Sequence, residues 1–330
     1  MNDQINDTEA LSAIVGARVV AAEPCGWGFE NRTAIVTLED GERLVVQRIN
    51  SRAWAGHKLH LARVLPNRLA AVGVRAPRLL AADAAADPPY AVREYLPGES
   101  AASLMGTVAG AIQVARAMGA LLPRLALVET DGAGLSNTWA SPISLTRVAQ
   151  QQLDRCRSLL DTPASAALAA TIAEVAACFV DRPAGFAHGD FCPVNALLAD
   201  TRRLTADDSS TTDDRPPMRG NPSAVVDGQR PVVGLLDLEF ARIANPLFDA
   251  AWWGWVVRYH HPERWLHAWP QLLASAGIAD DAETAGRIRV IQRLRCLEMI
   301  DYCATTRTRE VAEMWIGRLR ATLGWAMNTA

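Results

Sequence analysis

The stretch His188-Gly189-Asp190-Phe191-Cys192-Pro193-Val194-Asn195 decides how this chain of 330 residues is read. Its H-x-D-x4-N spacing is that of a phosphoryl-transfer catalytic loop. Downstream, the apolar run Val232-Val233-Gly234-Leu235-Leu236 ends in Asp237, which delivers a second carboxylate at the end of a buried strand. In this chemistry a carboxylate lies beside the acceptor hydroxyl while metal ions neutralise charge on the phosphate oxygens. The four residues between Asp190 and Asn195 let a tight loop turn both side chains toward one point. Asp190 then faces the hydroxyl as catalytic base and Asn195 a magnesium ion. Asp237 is expected to hold the bridging metal. His188 is assigned a structural role, bracing the backbone of the loop.

Composition suits an enzyme of this size. Half of the residues are hydrophobic, enough for a sizeable core arranged as two lobes of one catalytic unit. A net charge of −3 points to neither a nucleic-acid nor a membrane-surface partner. The first 25 residues lack the apolar core of a signal peptide and no stretch approaches a membrane span, so a cytoplasmic protein is expected. Six scattered cysteines form no C-x-x-C or Cys/His cluster, which argues for reduced thiols and against structural zinc. Cys192 lies inside the loop and is read as a small packing residue. Lys58 is the only lysine, against 32 arginines.

Along the chain, a short helix over 8–16 is followed by strands over 17–23, 32–38 and 44–49, the last two joined by a Glu39-Asp40-Gly41 turn. Gly26 and Gly28 let backbone N–H groups approach phosphates without Cβ interference. A helix is predicted over 59–72, kinked or split at Pro66, then strands over 77–82 and 90–95. Helical periodicity dominates from Val108. Thr162-Pro163 reads as the cap and first position of a helix reaching about residue 180. Residues 200–230 are rich in Asp, Ser, Thr, Pro and Gly, the composition of a flexible surface insert rather than a lid. Trp252, Trp253, Trp255, Tyr259, Trp265 and Trp269 fall on two helices and read mainly as core. Trp252 and Trp255 are also candidates to wall an acceptor pocket, because flat rings stack on sugars and favour cations.

Over nearly its whole length the sequence resembles the aminoglycoside phosphotransferase and choline kinase family, small-molecule relatives of the protein kinases. The resemblance is carried by Gly26-Trp27-Gly28-Phe29-Glu30-Asn31, by Leu44-Val45-Val46-Gln47-Arg48-Ile49-Asn50, by the 188–195 loop, and by Leu236-Asp237-Leu238-Glu239 with Asn245-Pro246-Leu247-Phe248-Asp249 after it. A protein kinase is disfavoured, because Cys192 stands where those enzymes place a lysine and neither D-F-G nor A-P-E is present. The resemblance implies an α+β, protein-kinase-like two-lobe fold. A small N-terminal antiparallel sheet with a helix (1–96) would bind nucleotide, and a larger, mainly helical lobe (97–330) would carry catalysis and acceptor binding.

It also implies ATP, or GTP in its place, as phosphoryl donor with Mg2+, and a small hydroxyl-bearing acceptor. That acceptor would be an aminoglycoside or other cationic antibiotic. The alternatives are a metabolic acceptor of the amino sugar, choline or homoserine type, and a non-catalytic nucleotide sensor. The hinge contacts would come from Glu94 through its carbonyl and Leu96 through its N–H, and Asp249 would tether the catalytic loop. Relatives commonly place a phosphate-binding lysine on the third strand, where this chain has Gln47. Arg48 follows, but strand alternation points it to the opposite face unless a bulge intervenes. No glutamate lies between Ser51 and Tyr90, so the neighbouring helix also lacks an ion-pairing acid. Among the acids available to ammonium groups, Glu239 is the first candidate, two residues beyond Asp237 on the same side of an extended chain.

Overall fold

A computed structural model describes residues 7–25, 31–179, 183–199 and 231–325. Gly26 and Gly28 and the expected 200–230 insert lie outside these residues. In chain order the elements are α1 (Thr8–Val15), β1 (Val19–Pro24), β2 (Asn31–Leu38), β3 (Arg43–Ile49), α2 (Arg52–Ala71), β4 (Leu79–Asp83), β5 (Tyr90–Glu94), β6 (Glu99–Ser100) and α3 (Ala101–Leu104). Next come α4 (Val108–Gly119), α5 (Leu122–Leu125), α6 (Pro142–Cys156), α7 (Thr162–Ala173), α8 (Val175–Cys178), β7 (Gly185–Ala187) and β8 (Ala196–Leu198). The chain then runs through β9 (Val232–Leu235), β10 (Arg242–Ala244), α9 (Phe248–His260), α10 (Pro262–Ala276), α11 (Ala282–Thr306) and α12 (Arg309–Leu323).

Two compact units form, one from Met1–Ser103 with Val194–Glu239, the other from Leu104–Pro193 with Phe240–Ala330. This differs from a single division after residue 96, because β8 and β9 pair with β6 in one three-stranded sheet and so join the N-terminal unit. The rest of that unit is a five-stranded antiparallel sheet of order β1-β2-β3-β5-β4. Asp7 caps α1 by accepting N–H bonds from Glu9 and Ala10, and Gly16 closes it at φ 76°. The β2–β3 hairpin turns at Gly41, φ 87°, with Leu38 N–H bonded to the Glu42 carbonyl.

Alternation sorts the sheet's two faces. Leu44, Val46 and Val92 join Leu11 of α1 and Val36 in one apolar cluster, while Ile49 and Ala91 pack on Ala55 and Leu59 of α2. Pro66 lies inside α2 without dividing it, and the helix starts seven residues earlier than its predicted position at 59. No helix among the described residues is long and apolar enough to cross a membrane.

The second unit is helical around a core built from α6, α7, α9, α11 and α12, with Trp252, Trp255 and Trp315 at its heart. Close helix contacts fall at glycines: a Cβ on Gly119 would stand 2.5 Å from the Leu272 carbonyl oxygen, and one on Gly254 2.6 Å from the Trp269 ring. The cap of α7 is Asp161, whose carboxylate accepts from Ala164 N–H, so the helix begins at Thr162, one residue earlier than a Thr162 cap would place it. It ends at Ala173 and α8 follows, short of the single helix expected to reach about residue 180.

Candidate active site

The candidate catalytic loop, 188–195, begins where β7 ends. Its pairing with β10 sets Ala187 opposite Arg242, and His188 emerges fully buried. Asp249, in the first turn of α9, accepts hydrogen bonds from the backbone N–H groups of His188 (2.7 Å) and Gly189 (3.0 Å). Burial pushes the Asp249 carboxyl above its ordinary range, opposed by His188, these two N–H bonds and Arg242. The tether expected of Asp249 is therefore a pair of bonds to the loop backbone. Asp190 N–H in turn donates to His188 Nδ1 at 3.3 Å, so the imidazole contacts the loop it was assigned to brace.

Gly189 is required by space as well as by conformation. Its φ is 83°, and a Cβ there would lie 1.9 Å from the Phe240 carbonyl oxygen. Three residues past Asp249 on the same helical face, Trp252 donates its indole Nε1–H to Asp190 Oδ1 at 2.7 Å. That bond fixes the orientation of the carboxylate. The Arg295 guanidinium stands over the Trp252 ring at 5.2 Å and the Phe240 ring at 5.4 Å. Glu298 joins Arg242 (2.9 and 3.0 Å) and Arg295 (2.6 Å) into one charged brace under the loop. Burial raises the Glu298 carboxyl, but Arg242 and Arg295 outweigh it and bring the group down to about 2.

Trp255 plays a different part. It is 1% exposed, stacks on Trp252 at 4.9 Å and donates its Nε1–H to Thr322 Oγ1 at 2.8 Å. Its ring is core, so the pocket-wall role expected of it has no exposed face in this unit. Trp252 likewise is buried, with its indole N–H on Asp190.

In the N-terminal unit, Asn195 ends a 3-10 turn and leads directly into β8. Its carbonyl accepts the N–H of Leu236 at 2.8 Å, which sets Asn195 beside the residue preceding Asp237. Asp237 has φ 58°, the only positive φ at a non-glycine among the described residues. Such a conformation costs on the order of 1–3 kcal/mol and persists only where the surroundings impose it. One carboxylate and one amide oxygen are hard donors, and they fit Mg2+, which takes one or two protein oxygens and fills its shell with phosphate and water. No group of three His, Cys, Asp or Glu side chains able to hold a metal occurs among the described residues.

Glu239 departs from expectation. Leu238–Phe240 is a 3-10 turn rather than extended chain, so the two-residue alternation that would set Glu239 beside Asp237 does not apply. Glu239 turns instead to Lys58 of α2, 2.8 Å away, with side-chain exposures of 4% and 10%. The sole lysine thus lies on the helix and the acid in the turn after β9, the reverse of a strand lysine paired with a helix glutamate. The singularity of Lys58 among 32 arginines was the one sequence signal available.

Gln47 and Arg48 face opposite sides of the sheet. No register shift interrupts β3 against β2 or β5, so no bulge swings Arg48 round, and it is buried on the side of Leu44 and Val46. Gln47 Oε1 accepts a 3.0 Å bond from Arg93 of β5. At the candidate hinge, burial acts against the Glu94 carboxylate but Arg75 and Arg78 hold it below its ordinary range, and Leu96 is buried against Gly234, where a Cβ would come within 2.7 Å of it.

Solved structures share this fold. A GDP complex of wild-type aminoglycoside 2'-phosphotransferase-IIIa superposes with a TM-score of 0.69 at 15% identity, covering 96% of this chain and 98% of that one. Macrolide 2'-phosphotransferase MphH from Brachybacterium faecium, an apoenzyme, gives 0.64 at 17% identity, covering 94% and 96%. Aminoglycoside phosphotransferase APH(3'')-Id from Streptomyces rimosus, in complex with ADP and streptomycin, gives 0.56 at 18%, covering 88% and 98%. At these identities the likeness establishes the protein-kinase-like fold. No curated protein sequence matches the chain. The family model of the phosphotransferase enzymes aligns to residues 21–206, more than half of the sequence, and the chain accordingly belongs to the phosphotransferase enzyme family.

Proposed function

We propose that this phosphotransferase moves the γ-phosphoryl group of ATP, or of GTP, to a hydroxyl of a small molecule, with an aminoglycoside or another cationic antibiotic as the acceptor class. The observation that carries the reading is the Asp190 carboxylate held by the Trp252 indole at 2.7 Å on a loop anchored by Asp249. Asp190 accepts the acceptor's hydroxyl proton as that oxygen bonds to the γ-phosphorus. The bond from the γ-phosphorus to the bridging oxygen breaks, and the nucleoside diphosphate leaves. Asn195 and Asp237 would hold Mg2+, which when bound neutralises charge on the phosphate oxygens. His188 and Asp249 keep the loop in place. The acceptor class is supported by neighbours of the same fold that carry aminoglycosides or are macrolide phosphotransferases by name.

One observation favours a second reading. Glu239, the acid expected to meet ammonium groups, is engaged by Lys58, so an acceptor of metabolic type with fewer cationic groups is the alternative. A nucleotide-consumption screen over aminoglycosides, macrolides, amino sugars and amino alcohols separates the two. Asp190→Ala is expected to lower kcat by about a thousandfold or more, with Mg·nucleotide affinity held within a few-fold. Trp252→Phe, which removes only the indole N–H, should fall between that variant and wild type. Turnover of Asp190→Ala within tenfold of wild type would remove Asp190 from the mechanism. Absence of turnover with every acceptor, despite tight Mg·nucleotide binding, would favour a nucleotide sensor.

A further inference from the structure

A nucleoside triphosphate keeps net negative charge after one magnesium ion has bound, and a site that holds it needs protein cations near the metal ligands. Strand β3 offers none beside Gln47: Arg48 points to the side of Leu44 and Val46, and Arg43, on the face of Gln47 but at the other end of the strand, is engaged by Tyr95 at 3.0 Å and Glu23 at 3.7 Å. Lys58 is engaged by Glu239 at 2.8 Å. Arg93 remains. In the β3–β5 register it stands opposite Val45, and therefore on the same face as Gln47 two residues on. Its Nη2–H donates to Gln47 Oε1 at 3.0 Å.

We infer that Arg93 is the phosphate-binding cation of the donor site, delivered from β5 in place of a lysine on β3, with Gln47 as the residue that positions it. The inference rests on the donor being a nucleoside triphosphate, as proposed above. Three observations converge. Burial pushes the Arg93 guanidinium below its ordinary range, and Asp237 first and Glu239 second, the carboxylates following β9, act against it, so Arg93 lies within their electrostatic reach. Its Nε–H is shut off from solvent and meets no hydrogen-bond acceptor among the described residues, a donor held ready for an oxygen that the protein does not provide. A guanidinium also keeps its charge under partial burial and presents paired N–H groups that match two phosphate oxygens. Gln47 Oε1 holds one of those nitrogens, which explains a neutral amide at this position: a lysine there would repel Arg93.

The test uses the full chain and measures binding of Mg·ATP, Mg·GTP and the bare nucleosides adenosine and guanosine by calorimetry. Arg93→Ala is expected to weaken the Mg·nucleotide by about a hundredfold, the scale of charge-assisted hydrogen bonds to a phosphate, and to leave the nucleoside within threefold. Arg93→Lys should recover at least tenfold of that loss, and Gln47→Ala should lose only a few-fold. Arg93→Met, which keeps the volume of the stem, carries the same expectation should Arg93→Ala fail to fold. Equal losses for nucleotide and nucleoside would make Arg93 a wall of the base pocket and overturn the assignment. So would unchanged Mg·nucleotide binding in folded Arg93→Met. A wild type that binds nucleosides and nucleoside triphosphates equally weakly would instead overturn the phosphotransferase reading on which the assignment stands.

Discussion

Asp190 carries the carboxylate proposed as the catalytic base, and its neighbours on the loop decide how well that carboxylate is aimed. Gly189 is the residue with least room to change. A methyl group there would meet the Phe240 carbonyl at 1.9 Å, a backbone atom that cannot rotate aside, and the φ of 83° adds strain. Gly189→Ala is expected to lose all measurable turnover and to lower the thermal midpoint by roughly 5 °C, checked by scanning calorimetry beside the activity assay. A variant with wild-type midpoint and turnover would contradict this crowding. At this scale the tether of the loop backbone by Asp249 was legible in the sequence, whereas the roles proposed for Asp190, Asn195 and Asp237 rest on their spacing. Asp190, Asn195 and Asp237 sit at fixed spacings on short segments, and local geometry alone limits where such side chains point. The bond from Trp252 to Asp190 was not legible, because it depends on the rotation of α9 as a whole.

At the scale of elements, α9 delivers Asp249 and Trp252 one turn apart to consecutive parts of the same loop, while α11 delivers Arg295 and Glu298 beneath it. The Arg242–Glu298–Arg295 brace makes the pH dependence explicit. Burial opposes ionisation of Glu298, but the two guanidiniums dominate and depress its folded-state pKa from an ordinary 4.5 to about 2. A depressed carboxyl pKa stabilises the folded state fully above its unfolded value, and that contribution is lost as pH falls from about 4.5 through about 2. Acid titration of the thermal midpoint is therefore expected to fall more steeply for wild type than for Glu298→Gln over that window. Parallel curves for the two proteins would show that the brace does not couple to folding. Element existence was mostly read from the sequence, yet the start of α2 was missed because Arg52, Trp54 and His57 show no apolar period. The turn at Leu238–Phe240 was missed because Asp237 continues a strand by pattern and leaves it by a left-handed residue.

For the molecule as a whole, the order of the chain is not the order of its compact units. Residues 194–239 complete the N-terminal unit by adding β8 and β9 to β6 and by presenting Glu239 to Lys58. That arrangement could not be read beforehand, since a pairing between residues so distant in sequence depends on three-dimensional closure. Removing one partner of a buried ion pair leaves an uncompensated charge, so Lys58→Met is expected to destabilise the fold by about 3–5 kcal/mol in urea titration, and Lys58→Met with Glu239→Leu by less. A single variant as stable as wild type would reduce the pair to a surface contact. The same feature gives the protein a built-in reporter. With a single side-chain amine in the whole sequence, and that amine sequestered, an amine-acylating reagent that modifies Lys58 counts the moments at which α2 and the turn carrying Glu239 part. Its rate, followed by mass spectrometry, would time the opening of the Lys58–Glu239 pair without any engineered label.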